Sequence, residues 1–196
     1  MSRIMRRVWI VALAGIALWP VTSQPAAAAS FALTEREQKE AIGLGRRSVV
    51  SEVLGDEWTS RNGSGDTLTV VTPFHRLAQA ARIAAFKKAP LKPREIGAVL
   101  KATAGRLTLW VTLRGGKPDF ARFLEPALLD GKIEVKPSFV QNEQTALRGE
   151  DGRFSARCLY VFPAARLDPR GRFTLLIRDP DEKELSRFTV DLSAMR

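Results

Sequence analysis

The sequence predicts an α+β fold in which an antiparallel β-sheet or sandwich is backed by two or three N-terminal helices. Three observations predict it. Apolar residues recur at helical spacing over residues 34–104, they alternate with a period of two over 106–192, and the last third of the chain holds three alternating segments bounded by turns. No internal repeat or linker divides residues 30–196, so we expect one globular domain.

Residues 1–29 have the three parts of a cleavable export signal. A basic start precedes an apolar run from Val8 to Trp19, and four alanines follow. Signal peptidase requires small residues before its cut, which we place between Ala29 and Ser30. The run is shorter than the roughly 20 apolar residues that span a bilayer. The sequence therefore predicts an exported chain, periplasmic or secreted, without a membrane span once the signal is removed. The general secretory route is favoured over the twin-arginine route.

Three helices are predicted before residue 105, each from a local start signal. The first begins at a capping box, the second has a threonine N-cap before proline, and the third begins at proline and ends at a glycine. These signals are Thr34 with Glu37, Thr72-Pro73, Pro93 and Gly105. Between the first two helices, the β-branched stretch 67–71 predicts a strand.

The strands begin after the third helix. Residues 107–113 alternate strictly and predict a strand. Residues 119–130 predict a short helix that is capped by Asp119 and ends at Pro126. Residues 132–136 alternate again, and the proline after them favours an edge position in the sheet.

The C-terminal third predicts a three-stranded antiparallel meander. Its three apolar faces start at Phe154, Phe173 and Phe188 and are separated by proline- and glycine-containing turns. Over residues 154–192 the pattern resembles the last strands of bacterial immunoglobulin-like envelope modules, without their cysteine pair or core tryptophan. The alternation is generic, and it identifies no family.

One candidate site follows from the strand register of this meander. To keep the apolar faces together, Tyr160 is placed opposite Leu175, and Leu175 opposite Phe188. This register puts Arg157 opposite Arg178, with Arg187 one step along. Like charges in this arrangement are unfavourable unless an anion lies between them. An internal acid, such as Asp191 or a glutamate from a covering helix, is the favoured counter-ion. The alternative is an anion-binding site for phosphate, sulfate or carboxylate.

No catalytic, cofactor or metal site is predicted. His75 is the single histidine and is expected to be solvated or capping. Cys158 lies in an alternating apolar pattern and is expected in the core. Carboxylate pairs for glycoside hydrolysis could be drawn from several acids, but no spacing selects a pair. These acids are Glu125, Asp130, Glu143, Glu150 and Asp151.

The charge balance favours an anionic partner. Three of the 31 basic residues lie in the signal, which leaves 28 against 21 acids, and such an excess favours contact with an anionic envelope component or an acidic protein. The basic residues never form a block longer than two, which argues against a specific nucleic-acid interface.

The resulting hypothesis is an exported, non-enzymatic binding or interaction module of the cell envelope that contacts an anionic group or surface. A small secreted hydrolase acting on cell-wall or extracellular polymer is one alternative. A structural subunit of an envelope complex, joined through an uncovered sheet edge at residues 133–135, is another. The sequence indicates neither the ligand nor the oligomeric state.

Overall fold

The computed structural model describes residues 31–50 and 54–196. The predicted signal and its cut between Ala29 and Ser30 lie outside the described residues. The helices are α1 Glu35–Arg47, α2 Pro73–Phe86 and α3 Pro93–Thr103. The strands are β1 Thr59–Arg61, β2 Thr67–Val71, β3 Arg106–Gly115, β4 Glu125–Asp130, β5 Ile133–Val135, β6 Phe139–Gln141, β7 Leu147–Arg148, β8 Phe154–Pro163, β9 Arg172–Arg178 and β10 Glu184–Asp191.

The helices begin and end where the local signals predict. The Thr34 hydroxyl accepts a hydrogen bond from the Glu37 amide, and the Glu37 carboxylate accepts one from the Thr34 amide at 2.7 Å. Thr72 caps α2 by accepting from the amide of His75 at 3.1 Å. Gly105 follows α3 with a φ of +66°, a conformation that glycine adopts without strain. None of the helices in the described residues is long and apolar enough to cross a membrane.

The strands form two antiparallel sheets, and the α+β sandwich-like fold is confirmed. The first sheet has the order β1-β2-β3-β8-β6, and β7 also pairs with β8. The second has the order β10-β9-β4-β5. As predicted, β5 occupies an edge. The strand predicted over residues 67–71 is also confirmed, and it is β2.

The three-stranded meander is wrong, because β8 and β9 belong to different sheets. Leu175 does lie opposite Phe188 as predicted, but its other neighbour is Leu128 of β4. Tyr160 instead lies opposite Leu109, within a ladder that joins β3 and β8 along ten residue pairs. The alternation of buried positions along most of both strands makes this longer pairing available, and a 3₁₀ turn at residues 164–166 then directs the chain to the second sheet.

The predicted helix over residues 119–130 is also wrong. Turns precede β4, whose residues pair with β9 on one side. Pro126 has no amide hydrogen, yet it fits this inner strand because β5 pairs only with residues 128–130 and does not reach it. Since the apolar residues of β4 are buried between two neighbours, the sheet decides the conformation of a segment whose local pattern also suits a helix.

One hydrophobic cluster contains residues from both sheets and from α1 and α2. Polar contacts add to it at two points. The buried carboxylate of Asp66, at the start of β2, accepts hydrogen bonds from the Arg114 amide at 2.9 Å and from the Ser186 hydroxyl of β10 at 2.7 Å. The Tyr160 hydroxyl donates to Asn142 at 3.0 Å. The Asp66 contacts join the two sheets, and the Tyr160 contact satisfies a buried hydroxyl within the first sheet.

Cys158 is fully buried in this cluster, as predicted. Burial raises the pKa of its thiol, and burial likewise raises the pKa of the Tyr160 hydroxyl well above its usual range. Both groups therefore remain protonated at neutral pH, which suits a structural role in the core.

Candidate functional site

The structure does not bring the three predicted arginines together. Arg157 lies on β8 opposite Thr112 of β3, whereas Arg178 and Arg187 belong to β9 and β10 of the other sheet. The predicted register is wrong because it depended on the meander. Arg178 forms an ion pair with Glu134 at 3.4 Å, and Arg187 forms one with Glu184 at 2.6 Å.

Glu184 lies on the same strand as Arg187, and Glu134 lies on β5 of the same sheet as Arg178. Asp191, which was expected as a counter-ion, instead binds Arg172. The Glu184 carboxylate accepts hydrogen bonds from Nε and Nη2 of Arg187, and this hydrogen bonding lowers the pKa of the Glu184 carboxyl. Local carboxylates are therefore the counter-ions of Arg178 and Arg187, as the favoured sequence interpretation expected. The side chain of Arg157 has a different environment.

Arg157 lies on the outer face of the first sheet, over an aromatic ring. Its guanidinium carbon is 4.4 Å from the ring centroid of Trp110 on β3, a favourable cation–π distance. Among the described residues its side chain has no carboxylate within 4 Å. The Glu143 carboxylate binds the backbone amide of Arg157. Stacking on Trp110 fixes the plane of the guanidinium while its N–H edge remains available to a ligand.

A cleft of about 540 Å³ lies beside this pair, between the outer face of the sheet and helices α2 and α3. Its lining combines hydroxyls, one amide, aliphatic groups and the indole, and its charged members are the two arginines. The lining residues are Thr69, Val71, His75, Arg76, Gln79, Ala102, Thr103, Thr108, Trp110, Arg157 and Leu159. Two cations without a carboxylate in the described lining give the cleft a positive potential, which attracts anions.

His75 closes the inner wall of the cleft and is not solvated, contrary to the sequence prediction. Its side chain is 1% exposed, and its ring stacks on Trp58 with the centroids 4.4 Å apart. Nδ1 donates to the Val70 carbonyl at 3.1 Å, so Nε2 accepts from the Gln79 amide at 2.9 Å. Burial lowers the pKa of His75. The imidazole is thus neutral, with both nitrogens occupied.

The outer face of the sheet continues past Leu159 into a second hollow of about 600 Å³. Phe139 and Val161 line it, and Phe139 is 49% exposed. Cleft and hollow share Leu159, so an extended ligand bound at Arg157 would find apolar contacts on the far side. Combined polar anchors and apolar walls are typical of ligand sites.

A separate cleft of about 520 Å³ lies at Arg178 and is predominantly acidic. Glu125, Glu134 and Glu182 line it together with Asp179. Two of these acids already have structural partners: Glu134 binds Arg178, and the Asp179 carboxylate accepts the amides of residues 181 and 183 in the β9–β10 turn. In the described residues no group of three potential ligands could hold a metal ion.

Sequence reasoning missed the Trp110–Arg157 pair, although it selected Arg157 as a candidate site residue. Trp110 stands among threonines on the face opposite Leu109 and Val111. A large aromatic residue at a predicted polar position was the available signal. The partner of Trp110 was not visible, because it depends on the pairing of β3 with β8, which are far apart in the chain.

Comparison with known proteins gives no functional relative. No protein-family model and no curated protein sequence matches the chain. Among solved structures, it is similar to an IgNAR antibody domain C3, with 16% identity and a TM-score of 0.33 over 68% of this chain and 96% of that domain. It is also similar to an IgNAR antibody domain C1, with 10% identity and a TM-score of 0.31 over 44% of this chain and 76% of that domain.

Proposed function

We propose that this protein is an exported, non-enzymatic binding module of the cell envelope, and that it holds a ligand through an oxyanion bound at Arg157. The observation that carries the proposal is the guanidinium stacked on Trp110, 4.4 Å from the ring centroid, in a cleft whose other charged side chain is Arg76. Carboxylate and phosphate groups match the planar fork of arginine. The Thr108 hydroxyl and the second amide hydrogen of Gln79 can complete the hydrogen bonding of such a group.

The location is part of the proposal and rests on residues 1–29 of the sequence. An exported chain meets anionic lipid headgroups, acidic polymers and acidic proteins of the envelope. The intact mass of the protein purified from the exported fraction tests this part directly. A cut before Ser30 is expected, whereas a mass that retains the apolar run from Val8 to Trp19 would overturn it.

A hydrolytic role is less well supported by the arrangement of side chains. A general base must have a free nitrogen or carboxylate within reach of a substrate. Both nitrogens of His75 are already bonded. In the acidic cleft, Glu134 and Asp179 are held by Arg178 and by backbone amides. We therefore favour binding over catalysis.

The structural-subunit alternative has one supporting observation. Strand β5 is an edge of the second sheet, and Ile133 at its start is 67% exposed. A partner strand could add there by main-chain pairing. Sedimentation across a wide concentration range would distinguish this role, since a self-completing subunit shifts to a larger species as concentration rises.

Thermal denaturation with added phosphate, sulfate and citrate tests the binding function. An anion at 100 times its dissociation constant stabilises the folded state by about 2.7 kcal/mol, which gives a measurable rise in Tm. We expect the rise to disappear in Arg157→Ala and to persist in the matched control Arg178→Ala. Trp110 emission should also change on binding, and Trp110→Phe removes that signal.

Two outcomes would contradict the proposed site. One is an unchanged anion response in Arg157→Ala. The other is the absence of any response to these anions in the unmodified protein. If only Arg178→Ala lost the anion-dependent rise in Tm, the anion would instead bind at the acidic cleft that Arg178 lines.

A further inference from the structure

The turn that joins α2 to α3 exposes two large apolar side chains. Phe86, the last residue of α2, is 76% exposed, and Ile83 one turn earlier is 53% exposed. Residues three apart lie on the same side of a helix, so the two side chains form one apolar patch. Single exposed apolar residues are common, but adjacent ones at a protruding tip mark an interaction surface.

The position of α2 explains why this patch is bare. His75, Gln79, Ile83 and Phe86 follow one stripe of the helix at helical spacing. The first half of the stripe faces the sheet, because His75 bonds to Val70 and Gln79 lines the cleft. The second half of the stripe extends past the sheet. Ile83 and Phe86 therefore face solvent, whereas His75 contacts a strand.

The tip has a defined shape. Lys88 takes a left-handed conformation with a φ of +54°, and the Ala89 amide donates to the Ala84 carbonyl at 2.9 Å. This bonding closes the C-terminus of α2. The next helix begins at Pro93, and its preceding residue, Lys92, is bound through its amide to the Glu95 carboxylate at 2.7 Å. Both ends of the turn are therefore held by hydrogen bonds, and the turn presents its side chains from a fixed backbone.

The charge around the patch is predominantly positive. Residues 83–94 contain four basic residues and no acid, and the carboxylate of Glu95, which follows them, accepts the Lys92 amide. A shallow groove of about 460 Å³ adjoins the tip between α1 and α2. Ile42, Leu91 and several alanines form its floor, and Arg46 and Lys88 also line it. The surface thus combines apolar side chains with surrounding cations.

We infer that the tip formed by residues 83–94 binds the surface of an anionic lipid bilayer. Phe86 and Ile83 enter the boundary between headgroups and acyl chains, while exposed cations of the tip pair with lipid phosphates. These cations are Lys87, Lys88, Lys92 and Arg94. Charge complementarity selects an anionic partner. The exposed aromatic ring selects a bilayer over a soluble polyanion, because a polyanion in water offers no apolar layer for Phe86.

This inference is independent of the anion cleft. Neither Arg157 nor Trp110 belongs to the tip, so failure of one proposal leaves the other in place. If both hold, α2 and α3 join a membrane-facing end to a cleft on the outer face of the first sheet, and the protein would present its ligand site close to the bilayer.

Vesicle co-sedimentation tests the inference with the protein purified from the exported fraction. The two vesicle types are phosphatidylglycerol mixed with phosphatidylcholine, and phosphatidylcholine alone. We expect binding to the anionic vesicles that falls with added salt. Phe86→Ser and the double change Lys87→Glu with Lys88→Glu should each reduce the partition coefficient about tenfold or more. All three positions are exposed, so the variants should remain folded, and circular dichroism checks this.

Matched controls carry the same changes elsewhere on the surface. Phe123 is 66% exposed, and Phe123→Ser should bind vesicles as the unmodified protein does. Lys117→Glu with Lys132→Glu removes the same net charge and should reduce binding by less than about threefold. Phe86→Trp supplies a second readout: its emission should shift to the blue on anionic vesicles and be quenched by lipids brominated on the acyl chain.

Three outcomes would overturn the inference. The first is the absence of binding to anionic vesicles. The second is equal loss of binding in the tip variants and their controls, which would indicate attraction by net charge alone. The third is vesicle binding that depends on Lys87 and Lys88 but is unchanged in Phe86→Ser, with polyphosphate bound equally well. That pattern would assign the tip to a soluble polyanion.

Discussion

Two glycines of α1 have opposite predicted effects when they are replaced by alanine. At Gly45, an added Cβ would lie 2.1 Å from the Ala78 carbonyl oxygen and 2.9 Å from the Ala81 Cβ of α2. At Gly43, the nearest atom is the end of the Arg47 side chain, at 3.2 Å. The first contact is with a packed backbone, and the second is with a flexible group that can move away.

The magnitudes follow from two competing effects. Alanine is better than glycine in a helix interior by about 1 kcal/mol. Overpacking a tight contact costs about 1–3 kcal/mol and more where backbone must shift. At 2.1 Å from a carbonyl oxygen, α1 and α2 must separate, so we expect Gly45→Ala to lower the free energy of unfolding by about 2 kcal/mol. Gly43→Ala should raise it by up to about 1 kcal/mol.

Urea denaturation followed by far-UV circular dichroism measures both changes. The unfolding free energy should fall with urea concentration at a similar slope in the unmodified protein and in both variants, so the urea midpoints report stability directly. A Gly45→Ala protein as stable as the unmodified one would refute the reasoning, because it would mean that α1 does not contact α2 at this point. Destabilisation by Gly43→Ala would refute the assignment of free space on that side of α1.

Three further predictions concern buried groups. Burial lowers the pKa of His75 below its ordinary value near 6.5, so the unfolded chain takes up the proton first as pH falls. Stability should therefore decrease below about pH 6.5 by up to about 1.4 kcal/mol per pH unit, and urea denaturation from pH 7 to 5 should show a smaller decrease in His75→Asn. Asp66→Ala leaves the Arg114 amide and the Ser186 hydroxyl without their acceptor and should lower the free energy of unfolding by about 3 kcal/mol in the same assay. Ser186→Ala should lower it by about 1 kcal/mol. The Cys158 thiol is fully buried with a raised pKa, so it should react with a thiol-specific disulfide reagent only on the timescale of unfolding; rapid reaction in native buffer would contradict its place in the core.

Sequence reasoning located the helices because their boundaries are set within a few residues. The capping box at Thr34, the N-cap at Thr72 and the glycine at position 105 act through hydrogen bonds or backbone conformations that span less than two turns. Such signals are written in consecutive residues. They are independent of what the rest of the chain does, and each of them is present in the structure.

Strand pairing could not be predicted in the same way. Alternation shows that β8 and β9 each have an apolar face, but it does not name the partner of either. The choice between β3 and β9 as a neighbour for β8 depends on strand length and on the residues that cover each face. The segment 119–130 failed for a related reason, because burial between two strands outweighed a pattern that also suits a helix.

The predicted arginine site was wrong for the same reason, because it depended on which strands pair. Arg157 was selected for its position on an alternating strand, but its assignment to a site with Arg178 required the wrong pairing. Its contact with Trp110 joins two strands more than 40 residues apart in the sequence. A site built from such contacts becomes visible only when the sheet order is known, whereas the buried state of Cys158 needed only the alternation of its own strand.

The order of strands in the two sheets has a consequence for how the chain reaches its folded state as it is synthesised. Strand β4 pairs with β9, and the chain between them supplies β8 to the other sheet. A polypeptide that emerges from the ribosome with its N-terminus first therefore exposes β4 with a vacant side until residues beyond 171 are available. During that interval Leu128 and its neighbours are bare, so the emerging chain is vulnerable to self-association and would benefit from a chaperone that holds it open until the last strands arrive.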